Sequence, residues 1–134
     1  MKKIIHLLLT LSILVSCAFK SNTMYTMEVT ATAYNSVVGQ TDGDPTITAF
    51  GDTLVPGKKY IAVSRDLLAL GLKHNSEVKI EGFEGTYLVK DKMHRRWKER
   101  IDIYMGNDVK SAREWGKRKV TISFDSDLIQ KAKE

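Results

Sequence analysis

Two aspartates in the stretch Val89 to Gly106, VKDKMHRRWKERIDIYMG, stand at the ends of apolar, strand-like runs, where a carboxylate is costly without a task. Tyr87, Val89 and Asp91 share a face at the period of two that a strand imposes, and Asp102 lies on the face opposite Ile101 and Ile103. Aspartate is depleted from strands, and burying it is expensive unless something satisfies it. A carboxyl raised by burial or by a neighbouring carboxylate is equipped for general acid chemistry. The structural alternatives stand beside that reading. Asp91 can be a strand-end acid paired with Lys92 or Arg100, and Asp102 a buried acid bonded to backbone amides.

The elements that must position these acids follow from alternation and turn residues. Met27 to Tyr34 alternates as a half-buried strand, and Asn35 to Pro45, with two glycines, two aspartates and a proline, is a loop. In that loop Asp42 and Asp44 read as turn formers rather than calcium ligands, since the rest of a calcium loop is missing. Thr46 to Gly51 and Tyr60 to Val63 are expected strands, and Ser64 is placed to cap a helical turn, RDLLAL, that Gly71 closes. Glu77 to Ile80, Thr86 to Lys90 and Ile101 to Met105 follow as strands. Asn107 is expected to cap a helix running through Trp115, and Lys119 to Phe124 closes the domain before a polar tail that frays. Short strands with two small helical insertions and frequent glycine turns predict a small, mostly β barrel.

The 134 residues fit one domain, and the net charge of +5 falls to +3 once Lys2 and Lys3 are set aside with residues 1–16. Those residues have the basic start and apolar run of a secretory signal. Leu14, Val15, Ser16 and Cys17 resemble a bacterial lipobox, so Cys17, the only cysteine, is expected to be acylated and joined to the barrel (26–124) by a tether over 17–25. The mild positive charge, spread among acids, does not argue for nucleic acid. His74 and His94 lack metal-ligand spacing, so no metal or cofactor is expected, and Ser64 has no histidine partner for nucleophilic catalysis.

Taken together, the blocks TAYNS, TITAFG, IAVSRDLLALG, VKDKM, RIDIYMG and AREWGKRKVTI resemble the 3D domain family, named for three aspartates. The family's fold is also the catalytic barrel of membrane-bound lytic transglycosylase A. The resemblance implies a small six-stranded double-psi β-barrel with one or two short helices, acting on a peptidoglycan strand. Its reaction cleaves the β-1,4 bond between MurNAc and GlcNAc and leaves a 1,6-anhydro end. Asp102 carries over as the general acid and Asp91 as the second aspartate. The third usually follows the IAV-like block directly, where this chain has Ser64, so the nearest acid, Asp66, takes its place. Tyr34, Thr46, Thr48, Lys92 and Arg100 are the expected sugar-binding residues, and Trp97 is placed to stack on a ring or to lie over its loop. The glycine-rich turn expected after Asp91 is replaced by Lys92, Met93, His94 and a basic run.

The strands bearing Asp91 and Asp102 are expected side by side, opening onto one groove that Thr48 also lines. The implied setting is the cell envelope, with a monomer lipid-anchored to a bacterial membrane. A non-catalytic peptidoglycan-binding module and a hydrolase using the same groove are the competing functions.

Overall fold

The computed structural model describes residues 23–39 and 43–134. The signal at 1–16, Cys17, the tether as far as Asn22, and Asp42 lie outside the described residues. Alternation does build the barrel. Val29 and Ala31, Ile61 and Val63, Val78 and Ile80, Tyr87 and Val89, Ile101 and Ile103, and Val120, Ile122 and Phe124 all turn inward into one buried cluster. Each large side chain so buried stabilises the fold by about 1.5 to 3 kcal/mol. Truncating the fully enclosed Phe124 to alanine is expected to cost about 3 to 5 kcal/mol.

The strands are β1 (Met24–Tyr34), β2 (Tyr60–Val63), β3 (Glu77–Ile80), β4 (Tyr87–Lys92), β5 (Arg100–Tyr104) and β6 (Arg118–Asp125). They close in the order β1-β5-β2-β4-β3-β6. The pairs β1/β5 and β2/β4 are parallel, and the four others are antiparallel. Exchanging β1, β2 and β3 with β4, β5 and β6 leaves this order unchanged, so the pairing has an internal two-fold whose axis passes between β2 and β5. Each half inserts a strand between two strands of the other, the interleaving of a double-psi β-barrel. The exchange sets Ile61-Ala62-Val63 on Ile101-Asp102-Ile103 and Thr32 on Asp91.

Three short helices complete the fold: α1 (Arg65–Leu70), α2 (Val109–Trp115) and α3 (Asp127–Lys131). The third corrects the frayed tail. Leu128 and Ile129 are apolar enough to pack partly buried against the core, and the Leu128 carbonyl oxygen occupies the space that a Cβ on Gly71 would need. Gly71 has φ 129, so both conformation and space require glycine there. The first strand begins at Met24, inside the expected tether, because Met24 and Tyr25 pair with Asp125 and Phe124. For α2 the cap is Asp108 rather than Asn107, its carboxylate accepting from the Ser111 amide at 2.9 Å.

Thr46 to Gly51 is not a strand. The buried Thr48 hydroxyl accepts from the amides of Phe50 at 3.3 Å and Asp52 at 3.1 Å, and Gly51 turns the chain at φ 86. Those local bonds compete with a ladder and win, leaving one isolated bridge between Ile47 and Thr53.

Candidate active site

Outward-facing residues of four adjacent strands make the site's floor. At one level across β1, β5, β2 and β4 the register sets Thr32 beside Asp102, Asp102 beside Ala62, and Ala62 beside Asp91. The two acid-bearing strands are therefore not neighbours as expected, because β2 comes between them. Ala62 has too small a side chain to screen one carboxylate from the other. Asp102, Ala62 and Asp91 all line one cleft of about 270 Å³, with Tyr34 and Asn35 at the end of β1 on one side and Lys92, Met93, His94 and Trp97 at and beyond the end of β4 on the other. A larger hollow of about 400 Å³ opens beside β3 and α3, lined by Glu77, Lys79, Ser123 and Leu128 among others. None of the atoms lining it is an enclosed polar group without a partner, among the described residues, whereas Tyr34 Oη and Asp102 Oδ1 in the smaller cleft are.

Asp102 is mostly enclosed, and its carboxyl is pushed up to about 6, first by burial and also by the nearby Asp91. The Thr32 hydroxyl and the Arg100 guanidinium act the other way and are outweighed. Among the described residues no backbone amide is hydrogen-bonded to this side chain, and its Oδ1 is enclosed without a partner. Asp91 is held differently: its Oδ1 accepts from the amides of Ala49 and Lys92, both at 2.8 Å. The turn at 48–51 thus serves the site by delivering one N–H to Asp91, and among the described residues Asp91 forms no ion pair with the side chain of Lys92 or Arg100. Tyr34 has its hydroxyl enclosed without a partner, and its pKa is raised by burial and by the charges of Asp91 and Asp102. It stays a neutral O–H donor beside both acids. Its ring lies 5.4 Å from Tyr104, whose ring stacks at 6.1 Å on Tyr60, and the Tyr104 hydroxyl is hydrogen-bonded to Ser36 at 2.6 Å.

Asp66 is not among the cleft residues. Its Oδ2 accepts from the Glu99 amide at 2.8 Å, while the Ser64 hydroxyl accepts from the Arg100 amide at 3.0 Å. Burial works to raise the Asp66 carboxyl, but the Ser64 hydroxyl, the Glu99 amide and the Lys98 charge hold it below the usual range. Together Ser64 and Asp66 fix the turn into β5, where Glu99 adopts φ 44. Thr46 bonds to Asp44 at 2.6 Å and Thr48 to its own turn, and neither lines the cleft. Lys92 does, with its ammonium 5.5 Å above the Phe50 ring. Arg100 stacks its guanidinium 3.9 Å from the Trp97 ring, with its Nε enclosed and unpartnered.

Sequence reasoning passed over Thr32, Asn35 and Ala62. Asn35 was within reach, since it follows Tyr34 in the TAYNS block, and its amide donates to the Gly106 carbonyl at 3.1 Å. Among the described residues no group of three acids, histidines or cysteines is arranged to hold a metal ion.

The interleaved strand order makes the protein a double-psi β-barrel, and the raised acid lies on the floor of a cleft in its surface. No family model matches the sequence, and no curated protein matches it. The chain is similar to the apo structure of the Clavibacter michiganensis expansin, with TM-score 0.48 and 21% identity over 73% of this chain and 49% of that one. A variant of the same expansin in complex with cellohexaose aligns with TM-score 0.45 and 21% identity over 75% and 49%. The chain thus spans about half the length of these proteins.

Proposed function

We propose that the protein cleaves peptidoglycan strands between MurNAc and GlcNAc as a lytic transglycosylase, from a lipid anchor at Cys17 in the bacterial cell envelope. The observation that carries this reading is Asp102, a carboxyl held near pKa 6 with one enclosed oxygen free of any partner, in a cleft open to a polymer. A protonated carboxyl there supplies the proton that the departing O4 needs as its bond to C1 breaks. The C6 hydroxyl of the same sugar then adds to C1 and returns its proton to the Asp102 carboxylate. The ring closes as a 1,6-anhydro end, no water is consumed and the acid is restored. One carboxyl thus serves both halves of the reaction, which suits a small site. Asp91 stabilises the positive charge developing at C1, and Tyr34, kept neutral beside both acids, adds no charge of its own to the cleft.

One observation favours a second reading, a glycan-binding module without turnover. Asp91 already ties two backbone amides together, which is sufficient employment for a structural acid. Mass spectrometry of muropeptides after incubation with purified wall separates the possibilities. Anhydro ends are expected, reducing ends mark a hydrolase, and no new ends mark a binding module. No described helix is long and apolar enough to cross a membrane. The anchor is tested by detergent partitioning and by loss of acylation in Cys17→Ser.

A further inference from the structure

The wall of the cleft at the end of β4 and in the β4 to β5 connection carries cations that no ion pair among the described residues takes up. Lys92 and His94 line the cleft, and Arg95 and Arg96 are exposed beside them. Ion pairs among the described residues join Asp52 to His74 and to Lys90, Glu114 to Lys110, and Glu28 to Lys119, and none takes a cation of this wall. Aromatic rings support these cations instead: Lys92 lies over Phe50, and the Arg96 guanidinium is 4.7 Å from Trp97. His94 Nδ1 accepts from the Arg96 amide at 3.3 Å, so His94 offers the wall an Nε2–H donor, and the positive charge comes from Lys92, Arg95 and Arg96. The facing wall, Tyr34 and Asn35, is neutral, and the floor holds two acids. A floor of this kind repels an anionic ligand, and only the β4 side offsets that repulsion.

We propose that this wall receives a carboxylate carried by the glycan itself, on the sugar whose C1 is attacked. The inference rests on the transglycosylase reading and narrows its substrate. Ring closure needs a free C6 hydroxyl, so the anionic group sits at another position of that sugar. The lactyl ether on O3 of MurNAc, with its carboxylate free rather than amide-linked to a peptide, is short enough to reach residues within the cleft. The substrate class is therefore the peptide-free strand.

Calorimetric titration of the wild-type protein at low salt with two defined MurNAc-containing tetrasaccharides tests this. One bears free lactyl carboxylates and the other has them reduced to alcohols. The acid form is expected to bind about tenfold more tightly, with the gap closing towards unity at about 0.5 M salt. The preference is also expected to vanish in Lys92→Gln/His94→Gln, and the wild-type comparison decides the matter if that variant fails to fold. Equal binding of the two forms by the wild type overturns the anion wall and leaves the proposed reaction standing. Binding of neither overturns both. A preference that survives in the folded double variant removes the carboxylate from this wall. A third titrant, the same oligomer with its peptides attached, is expected to bind more weakly than the free acid. Tighter binding would assign the charge to the peptide and overturn the proposal.

Discussion

Asp102 and Ala62 face each other across the antiparallel seam of β5 and β2, and they are also the residues that the barrel's internal two-fold exchanges. A carboxyl thus sits on one side of the seam and a methyl on the other. The expected consequence is a sharp one for Asp102→Asn, which keeps the shape and removes the transferable proton. Formation of anhydro ends should drop by about 10²- to 10⁴-fold with the fold intact. Near-normal product from this variant, followed by mass spectrometry, would remove Asp102 from the role of acid.

The pH dependence has two parts with the same origin. On the proposed reaction, a carboxyl held at about 6 is the protonated acid below that pH, so kcat/KM should be level there and fall about tenfold per pH unit above it. Stability runs in the same direction. The folded state raises this group from 3.8, so its contribution is complete below pH 3.8 and is lost as pH rises through about 6. Relative to wild type, Asp102→Asn should therefore gain on the order of 2 kcal/mol between pH 4 and pH 8. Denaturant midpoints at the two pH values check this, and a gain of the opposite sign would contradict the burial of the group.

Asp91→Ala should loosen the turn at 48–51 as well as the cleft, because it removes the acceptor shared by the Ala49 and Lys92 amides. A loss of about 1 to 3 kcal/mol in stability is expected, together with faster hydrogen exchange at those two amides. Unchanged exchange would show that the turn holds itself.

Asp66→Asn should act through Glu99 and Arg100 rather than on the substrate. Catalysis should fall modestly through kcat, with the falling limb of the pH profile moved, because the turn into β5 sets where Arg100 stands relative to Asp102. A change confined to thermal stability, with the pH profile unmoved, would leave Asp66 a purely structural acid.

Gly71→Ala should cost about 2 kcal/mol or more, since a Cβ there meets the Leu128 carbonyl and the backbone has φ 129. In a domain of this size that lowers Tm by roughly 8 °C or more, readable by calorimetry. An unchanged Tm would mean that α3 moves aside without loss.

Individual residues explain how much of this was legible in advance. The apolar neighbours Ile101 and Ile103 exposed Asp102 as an oddity, and alternation located all six strands to within a few residues. Thr32 and Ala62 stayed hidden because only long-range register, which no local pattern encodes, sets them beside Asp102. TITAFG has the composition of a strand, and the Thr48 hydroxyl that diverts it is visible only once its turn is closed. Leu128 and Ile129 were too few to signal a helix by periodicity. Their burial depends on Gly71, more than fifty residues earlier.

The internal two-fold bears on the direction in which a polymer lies. A groove symmetric about that axis would accept a chain running either way with equal ease, but a glycan strand has distinct reducing and non-reducing ends. The symmetry is broken at Ala62 against Asp102, at Thr32 against Asp91, and in the cleft walls, neutral at Tyr34 and Asn35 and cationic at Lys92. On the proposed function, those few differences orient the strand. A duplicated scaffold with no preferred sense thereby acquires one, and all bonds along a strand present the same end to Asp102.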